Sequence, residues 1–310
     1  MIDRDHDSRS SDRERADLHR GSRVTRDPCE TARVEPRDVC ARDLDLPRGP
    51  TRERVRVRAH TFELRGSEVR TLATVGAFRV VPASDLRHPS ERSQDPWHGD
   101  LSRLRDAGLI VTRPYVMKRE RLTLVTLTER GRDLLEARRR EGSDDARQAF
   151  YAGVVKPREL GHDAQLYRAY LRAAERLDRD GVRIRRVVLD YELKRDYQRF
   201  RQQRHRQRRE DTRDIRDAHS DVQQWARTQD LPVIDGHVHF PDVRIEYERE
   251  DGRRGVEDIE VTTPHYRGAY AAAKARTGFT RYRVAAMFRV GTRGGGGRRT
   301  PDPRIAEEFL

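Results

Sequence analysis

The chain has 310 residues, of which 34% are hydrophobic and 38% are charged, and its formal net charge is +13 at pH 7. This lean composition argues against a fully globular chain and predicts disorder in part of it, while the basic balance points to a polyanionic partner. Only four of the 66 basic residues are lysine, so part of the positive charge reflects a compositional bias toward arginine. The net charge alone is therefore weak evidence for nucleic-acid binding.

No apolar run approaches the roughly 18 residues that a membrane span needs, and the N-terminus has no apolar stretch typical of a signal peptide. We therefore expect a cytoplasmic protein without membrane contact. The two cysteines, Cys29 and Cys40, can form neither a disulfide framework nor a cysteine-based zinc site.

Residues 1–50 mix arginine, aspartate and serine with almost no large apolar side chains, which predicts a disordered tail. An alternation of apolar residues from Arg52 to Leu64 predicts a strand that introduces the first domain.

The next stretch predicts a helix, a strand, two further helices, a two-stranded ribbon and a closing helix capped near Thr128. We expect Ser67 to cap the first of these helices, Gly76 to end it, and Gly108 to end the third. This order is typical of a winged helix-turn-helix, so residues 52–142 are predicted to form an N-terminal winged-helix DNA-binding domain in an α+β protein.

A helix fits the major groove of DNA, and a basic ribbon tip can reach the neighbouring phosphates. The predicted contacts from the third helix are His98, Arg103 and Arg105. Those predicted from the ribbon tip are Lys118, Arg119 and Arg121. Since winged helices also serve as protein-docking modules, that alternative stays open.

Residues 149–290 predict a helix, a strand, a two-stranded hairpin, a helix and a last strand, with a charged helical insertion at 193–228. This is the element order of the PD-(D/E)XK nuclease core, so we expect an α/β nuclease-like domain here. Residues 291–310 are rich in glycine and arginine and are predicted to form a mobile tail.

Two acids on the predicted hairpin could bind Mg²⁺ or Mn²⁺, because these cations prefer rigid oxygen ligands. Asp242 begins the first strand and Glu260 lies on the second. The two carboxylates meet only if the hairpin loop has an odd number of residues. A two-residue turn at 251–252 would pair Asp242 with Val261 instead, and the sequence leaves this register open.

The nuclease motif expects a lysine two residues after the second acid, where this chain has Thr262. Lys274 on the next helix is a candidate substitute, and Glu192 and Lys194 are further candidates at the end of the first strand. The alternative is that the acids only pair with nearby arginines and do no chemistry. Separately, His237 and His239 have the spacing of transition-metal ligands on one strand, with Asp235 or Asp242 as a possible third.

The segment 100–112 followed by 124–132 resembles bacterial winged-helix regulators. Together with the helix at His162-Asp163, the strand at Pro241-Asp242 and the strand at Glu260, residues 66–288 resemble the replication-relaxation family. The resemblance implies a plasmid or mobile-element protein that acts in replication, relaxation or transfer, with other replication or transfer proteins as partners. That family usually carries a second acid two residues after the first, where this chain has Thr262, and this departure favours a degenerate nuclease-like domain.

Three functions follow as hypotheses. The first is a DNA-binding protein that needs no cofactor. The second is a Mg²⁺- or Mn²⁺-dependent endonuclease or nickase that uses Asp242 and Glu260. The third is a winged-helix transcriptional regulator.

Overall fold

The computed structural model describes residues 35–86, 99–117, 120–140, 147–154, 159–210, 216–262 and 275–283. These residues form a mixed α+β fold, as predicted, and all of them fall in one compact unit that begins at Glu35. Among the described helices, none is both long enough and apolar enough to cross a bilayer.

The described end of the predicted N-terminal tail is folded, so the prediction of disorder is wrong for residues 35–50. Helix α1 (Pro36–Ala41) is followed by a segment whose Leu44 and Leu46 are buried. The Tyr170 hydroxyl donates to the Pro36 carbonyl at 2.7 Å, and the buried Arg37 guanidinium donates to the Leu86 carbonyl at 2.7 Å. The few apolar side chains here pack against a core supplied by distant residues, which local composition cannot reveal.

The first part of the fold is a hairpin followed by a helix. Strands β1 (Glu53–Val57) and β2 (His60–Leu64) replace the single strand predicted for this stretch, with Arg58 at φ 52° in the turn. Helix α2 (Gly66–Phe78) begins after Arg65, whose amide donates to Glu68 Oε2 at 2.9 Å, so Ser67 is not the cap.

Gly76 does not end α2, contrary to the prediction. A Cβ at this position would lie 3.0 Å from the Phe150 ring and 3.1 Å from the Leu127 side chain. Glycine is therefore needed for close packing inside the helix, and α2 ends instead at Arg79, whose φ is 65°.

A three-stranded sheet with the order β3-β5-β4 follows α2. Its elements are β3 (Val81–Pro82), a 3₁₀ turn (Ala83–Leu86), α3 (Asp100–Asp106), β4 (Ile110–Met117), β5 (Glu120–Leu127) and α4 (Glu129–Ala137). Gly108, at φ 68°, ends α3 as predicted. The predicted cap of α4 is also confirmed, because the Thr128 hydroxyl accepts the Gly131 amide at 3.0 Å.

The second part of the fold is built on a four-stranded sheet with the order β11-β10-β9-β6. Strands β10 and β11 are parallel, and the other neighbours are antiparallel. Its elements are α5 (Leu160–Arg179), β6 (Arg183–Leu189), α6 (Asp190–Glu210), α7 (Arg216–Thr228), β7 (Val233–Ile234), β8 (His237–Val238), β9 (Val243–Glu248), β10 (Arg254–Thr262) and β11 (Thr280–Arg283). The charged insertion is therefore a pair of helices, and most of the helix predicted before β11 lies outside the described residues.

The two predicted domains share one hydrophobic core. Phe78 of α2 packs against Tyr167 and Tyr170 of α5, with ring centroids 5.1 Å apart in both pairs. The side chain of Gln148 donates to the Val187 carbonyl at 2.9 Å and accepts the Val187 amide at 3.0 Å. The stretch near residue 148 is thus packed against β6, and the core continues across the predicted boundary.

Candidate functional site

The structure resolves the register of the β9–β10 hairpin. Glu248 pairs with Arg254, which leaves five residues in the loop, and the last strand pair is Val243 with Ile259. Continued by one position beyond this last pair, the register would set Asp242 opposite Glu260. The loop has the odd length that this arrangement requires, and the register is not the one that pairs Asp242 with Val261.

Asp242 is bound by protein groups on two sides. Its Oδ2 accepts the Val261 amide at 2.8 Å and lies 3.2 Å from Nε2 of His162, in the first turn of α5. The other ring nitrogen of His162, Nδ1, is 3.6 Å from Oδ1 of Asp163. Burial by itself would lower the pKa of His162, but the hydrogen bonds to Asp163 and Asp242 raise it to about 10. His162 is therefore a cation at neutral pH.

The residues around this acid pair fit a divalent cation poorly. Glu260 is only 2% exposed, and Asp242 already faces the His162 imidazolium. The Thr262 hydroxyl, at the position where the nuclease motif has lysine, donates to the Tyr282 carbonyl at 3.3 Å. Within the described residues, no group of three or more histidine, cysteine, aspartate or glutamate side chains is arranged to hold a metal ion.

The remaining predicted catalytic residues are paired with other groups or lie outside the described structure. Glu192 is buried, with Arg186 at 3.1 Å and the Tyr151 hydroxyl donating to it at 3.3 Å. Burial raises the pKa of Glu192, against the opposing effect of Arg186. Lys194 pairs with Asp190 at 2.5 Å, and Lys274 lies outside the described residues.

Arg244 is a buried residue that the sequence analysis missed. It is 4% exposed and binds Asp258 through two bonds of 2.7 and 2.8 Å. It also donates to the carbonyls of Gln229 at 2.5 Å and Asp230 at 3.1 Å, just after α7. The segment after α7 covers this side chain. The cross-strand pairing with Asp258 is the signal that could have identified it, and that pairing depends on the register.

His237 and His239 do not form a compact ligand set. The first is exposed and the second is buried, on either side of the end of β8. The β7–β8 turn consists of Asp235 and Gly236, with φ values of 52° and 78°. Asp235, the possible third ligand, is paired with Arg276.

The predicted DNA-contacting cations of α3 are engaged within the fold. Arg103 lies 3.3 Å from Glu68, a fully buried acid that Arg52 also contacts at 2.9 Å. Arg105 lies 3.6 Å from Asp106. The Arg103–Glu68 pair fastens α3 to α2, whereas the Arg105–Asp106 pair lies within α3, and both arginines keep an exposed side.

The β4–β5 ribbon presents a different surface. Arg113 and Arg121 are exposed and form no ion pair with another described residue, while His98, Lys118 and Arg119 lie outside the described ranges. Of the large apolar side chains that are exposed among the described residues, two are on β4, namely Val111 at 39% and Val116 at 64%. The ribbon therefore offers both cations and apolar surface to a partner.

Comparisons of the chain with protein-family models, with curated proteins and with solved structures gave no match.

Proposed function

We propose that this protein binds duplex DNA through the β4–β5 ribbon and the adjoining α3, and that its second half has a nuclease-like core that does not cut DNA. The observation that carries the proposal is the ribbon. Its strands pair as far as Met117 and Glu120, so that only Lys118 and Arg119 separate them. A ribbon ending in two cations is suited to bind phosphates beside a groove.

The element order supports the winged-helix part of this proposal. Helix α2, strand β3, the 3₁₀ turn, helix α3 and the β4–β5 ribbon follow one another, and β3 pairs with β5. In such an arrangement the ribbon supplies phosphate contacts, while α3 can approach the bases. Because Arg103 is anchored by Glu68, we expect the ribbon to contribute more to affinity than α3 does.

The acid pair supports the absence of cleavage. The nuclease-like part of the proposal is based on α5, the antiparallel strands β6, β9 and β10, and β11, which is parallel to β10; α6, α7, β7 and β8 would then be an insertion between β6 and β9. His162, however, neutralises Asp242 with a protein cation, and Thr262 cannot supply the positive charge of the missing lysine. The core would then serve as a scaffold or as a further contact surface.

A metal-dependent endonuclease is the second candidate, and one observation favours it: the hairpin loop has an odd length, and its register, continued by one position, would set Asp242 opposite Glu260. The deciding experiment incubates supercoiled plasmid with the wild type, Asp242→Ala and Glu260→Ala in Mg²⁺ or Mn²⁺. We expect a mobility shift and no nicking from any of the three. Nicking by the wild type that both variants lose would establish the endonuclease and refute our proposal.

DNA binding by the ribbon is tested by the variant Lys118→Gln/Arg119→Gln/Arg121→Gln. Each lost phosphate contact should reduce the slope of log K against log salt by about 0.9. The matched control, Arg54→Gln/Arg179→Gln/Arg183→Gln, removes the same charge from exposed positions on other elements and should leave the slope near the wild-type value. Equal slopes for the two variants would exclude the ribbon as the contact.

The cellular role that we propose, in replication, relaxation or transfer of a mobile element in the cytoplasm, is based on the resemblance to the replication-relaxation family. Its test is copy number or transfer frequency of the element after deletion of the reading frame, with complementation by the ribbon variant.

A further inference from the structure

The outer face of α6 carries an unusual concentration of cations. From Lys194 to Arg206 the helix has six lysine or arginine residues and a single acid, Asp196. Every residue from 201 to 206 is exposed, so the second half of this stretch projects from the core.

Three of these arginines lie on one side of the helix. Arg195, Arg199 and Arg206 are separated by four and seven residues, with Gln202 between the last two. At about 3.6 residues per turn, these positions form a single stripe along the helix. We call these four residues the α6 stripe.

The stripe keeps most of its charge available. The side chains of Arg195 and Arg199 are 43% and 69% exposed, and they share Asp196 at 3.6 and 3.5 Å. Arg206 is exposed and has no ion pair with another described residue. Three arginines therefore face solvent against one shared carboxylate.

The opposite side of α6 fixes the helix in place. Tyr197 and Phe200 pack on Trp225 of α7, with ring centroids 5.0 and 5.6 Å apart, and Tyr197 also contacts Phe240. Arg204 bridges to Asp221 of α7 at 2.7 Å. The helix that carries the stripe is thus held in place, so that the arginines keep their spacing when an extended anion binds.

We propose that the α6 stripe is a second DNA-binding surface, which contacts the phosphates of one strand independently of base sequence. The inference deepens the proposed function and rests on it. The stripe extends for about 16 Å along the helix axis, from a rise of about 1.5 Å per residue. One strand of B-DNA carries a phosphate about every 3.4 Å along its axis, so within this length each of the three arginines can reach a different phosphate. Glutamine between the arginines can also donate to phosphate oxygens.

The test uses the full chain and a duplex of random sequence, with affinity measured from about 50 to 200 mM salt, a range that resolves phosphate contacts. The variant Arg195→Gln/Arg199→Gln/Arg206→Gln should reduce the slope of log K against log salt by two to three, at about 0.9 per lost contact. The charge-preserving variant Arg195→Lys/Arg199→Lys/Arg206→Lys should retain most of the slope. The control Arg54→Gln/Arg179→Gln/Arg183→Gln should retain it as well.

Four outcomes overturn the inference, each in a distinguishable way. Wild-type protein without DNA binding refutes the proposed function and the stripe with it. Wild-type binding with an unchanged slope in the stripe variant refutes the stripe alone. Equal losses in the stripe variant and the control show an effect of net charge only. If the stripe variant binds DNA as the wild type does but no longer binds vesicles of anionic phospholipid that the wild type binds, the stripe is a membrane-binding surface instead.

Discussion

At the residue scale, two buried or half-buried cations neutralise the acids of the central hairpin. Arg244 pairs with Asp258, and His162 pairs with Asp242. Asp258 lies on β10, and Asp242 directly precedes β9. A charge buried in a protein is stable only when it is paired and hydrogen-bonded, so each cation makes its acid a structural residue.

The pairing of His162 predicts a pH dependence of stability. Its folded pKa of about 10 lies above the ordinary value of 6.5, so its contribution is fully present below pH 6.5 and is lost as the pH rises through 10. We expect the free energy of unfolding to fall more steeply for the wild type than for His162→Gln between pH 6.5 and 8.5. Urea denaturation at several pH values measures this difference, and parallel curves would contradict the assigned ion pair.

The pair formed by Arg244 and Asp258 predicts a large effect of removing one partner. Asp258→Ala leaves a buried guanidinium without its carboxylate, and we expect a loss of roughly 3–5 kcal/mol in the free energy of unfolding. Glu63→Ala is the control, because its pair with Arg54 is exposed, and it should cost about 1 kcal/mol or less. Similar losses from the two variants would show that Arg244 finds water or another partner.

At the element scale, the free edge of β6 is closed by side chains instead of another strand. Gln148 makes both bonds to the Val187 backbone that a neighbouring strand would make. Further along β6, the register of its pairing with β9 shifts between Ile184 and Arg186. There the Arg42 guanidinium donates to the Ile184 carbonyl at 3.2 Å and also to the Arg185 carbonyl. Covering an edge strand in this way prevents it from pairing with a second chain.

This arrangement predicts the effect of shortening Gln148. In Gln148→Ala the buried amide and carbonyl of Val187 lose their partner, which should cost about 1–3 kcal/mol. The control is Gln198→Ala on the exposed side of α6, which should change stability by about 0.5 kcal/mol or less. Equal denaturant midpoints for the two variants would show that the edge of β6 does not depend on Gln148.

At the scale of the whole molecule, the two predicted domains share one packed core. Aromatic side chains of α5 cover Phe78 of α2, and the Tyr151 amide donates to the Gly76 carbonyl at 2.9 Å. Helix α1 joins both parts, since Arg37 binds the Leu86 carbonyl and Pro36 accepts from Tyr170. Because these contacts are shared, neither part can lose them without exposing apolar surface of the other.

The shared core predicts that a fragment of residues 52–142 does not fold alone. We expect it to lack a sigmoidal unfolding transition, whereas the full chain should unfold in one transition that is the same by near- and far-ultraviolet circular dichroism. A fragment that unfolds cooperatively, or two separated transitions in the full chain, would show that the parts are independent domains.

Local sequence determined the elements whose signals are themselves local. Gly108 ended α3, Thr128 capped α4, β-branched residues marked β6, and the hairpin of β9 and β10 was predicted from its strands and turn. These features depend on backbone conformation and on side-chain periodicity within a few residues, and both can be read directly from the sequence. The α+β class followed from them, and the winged-helix and nuclease-like assignments remain predictions.

Tertiary structure alone decided which residues meet. The five-residue loop set the register of β9 and β10, α5 brought His162 to Asp242, and the segment after α7 covered Arg244. It also made Gly76 a packing site and gave the sparse apolar residues of segment 35–50 a core to join. The physical reason is common to these cases: the free energy of burying a charge or an apolar group depends on neighbours that are distant in the chain, and a local window contains none of them.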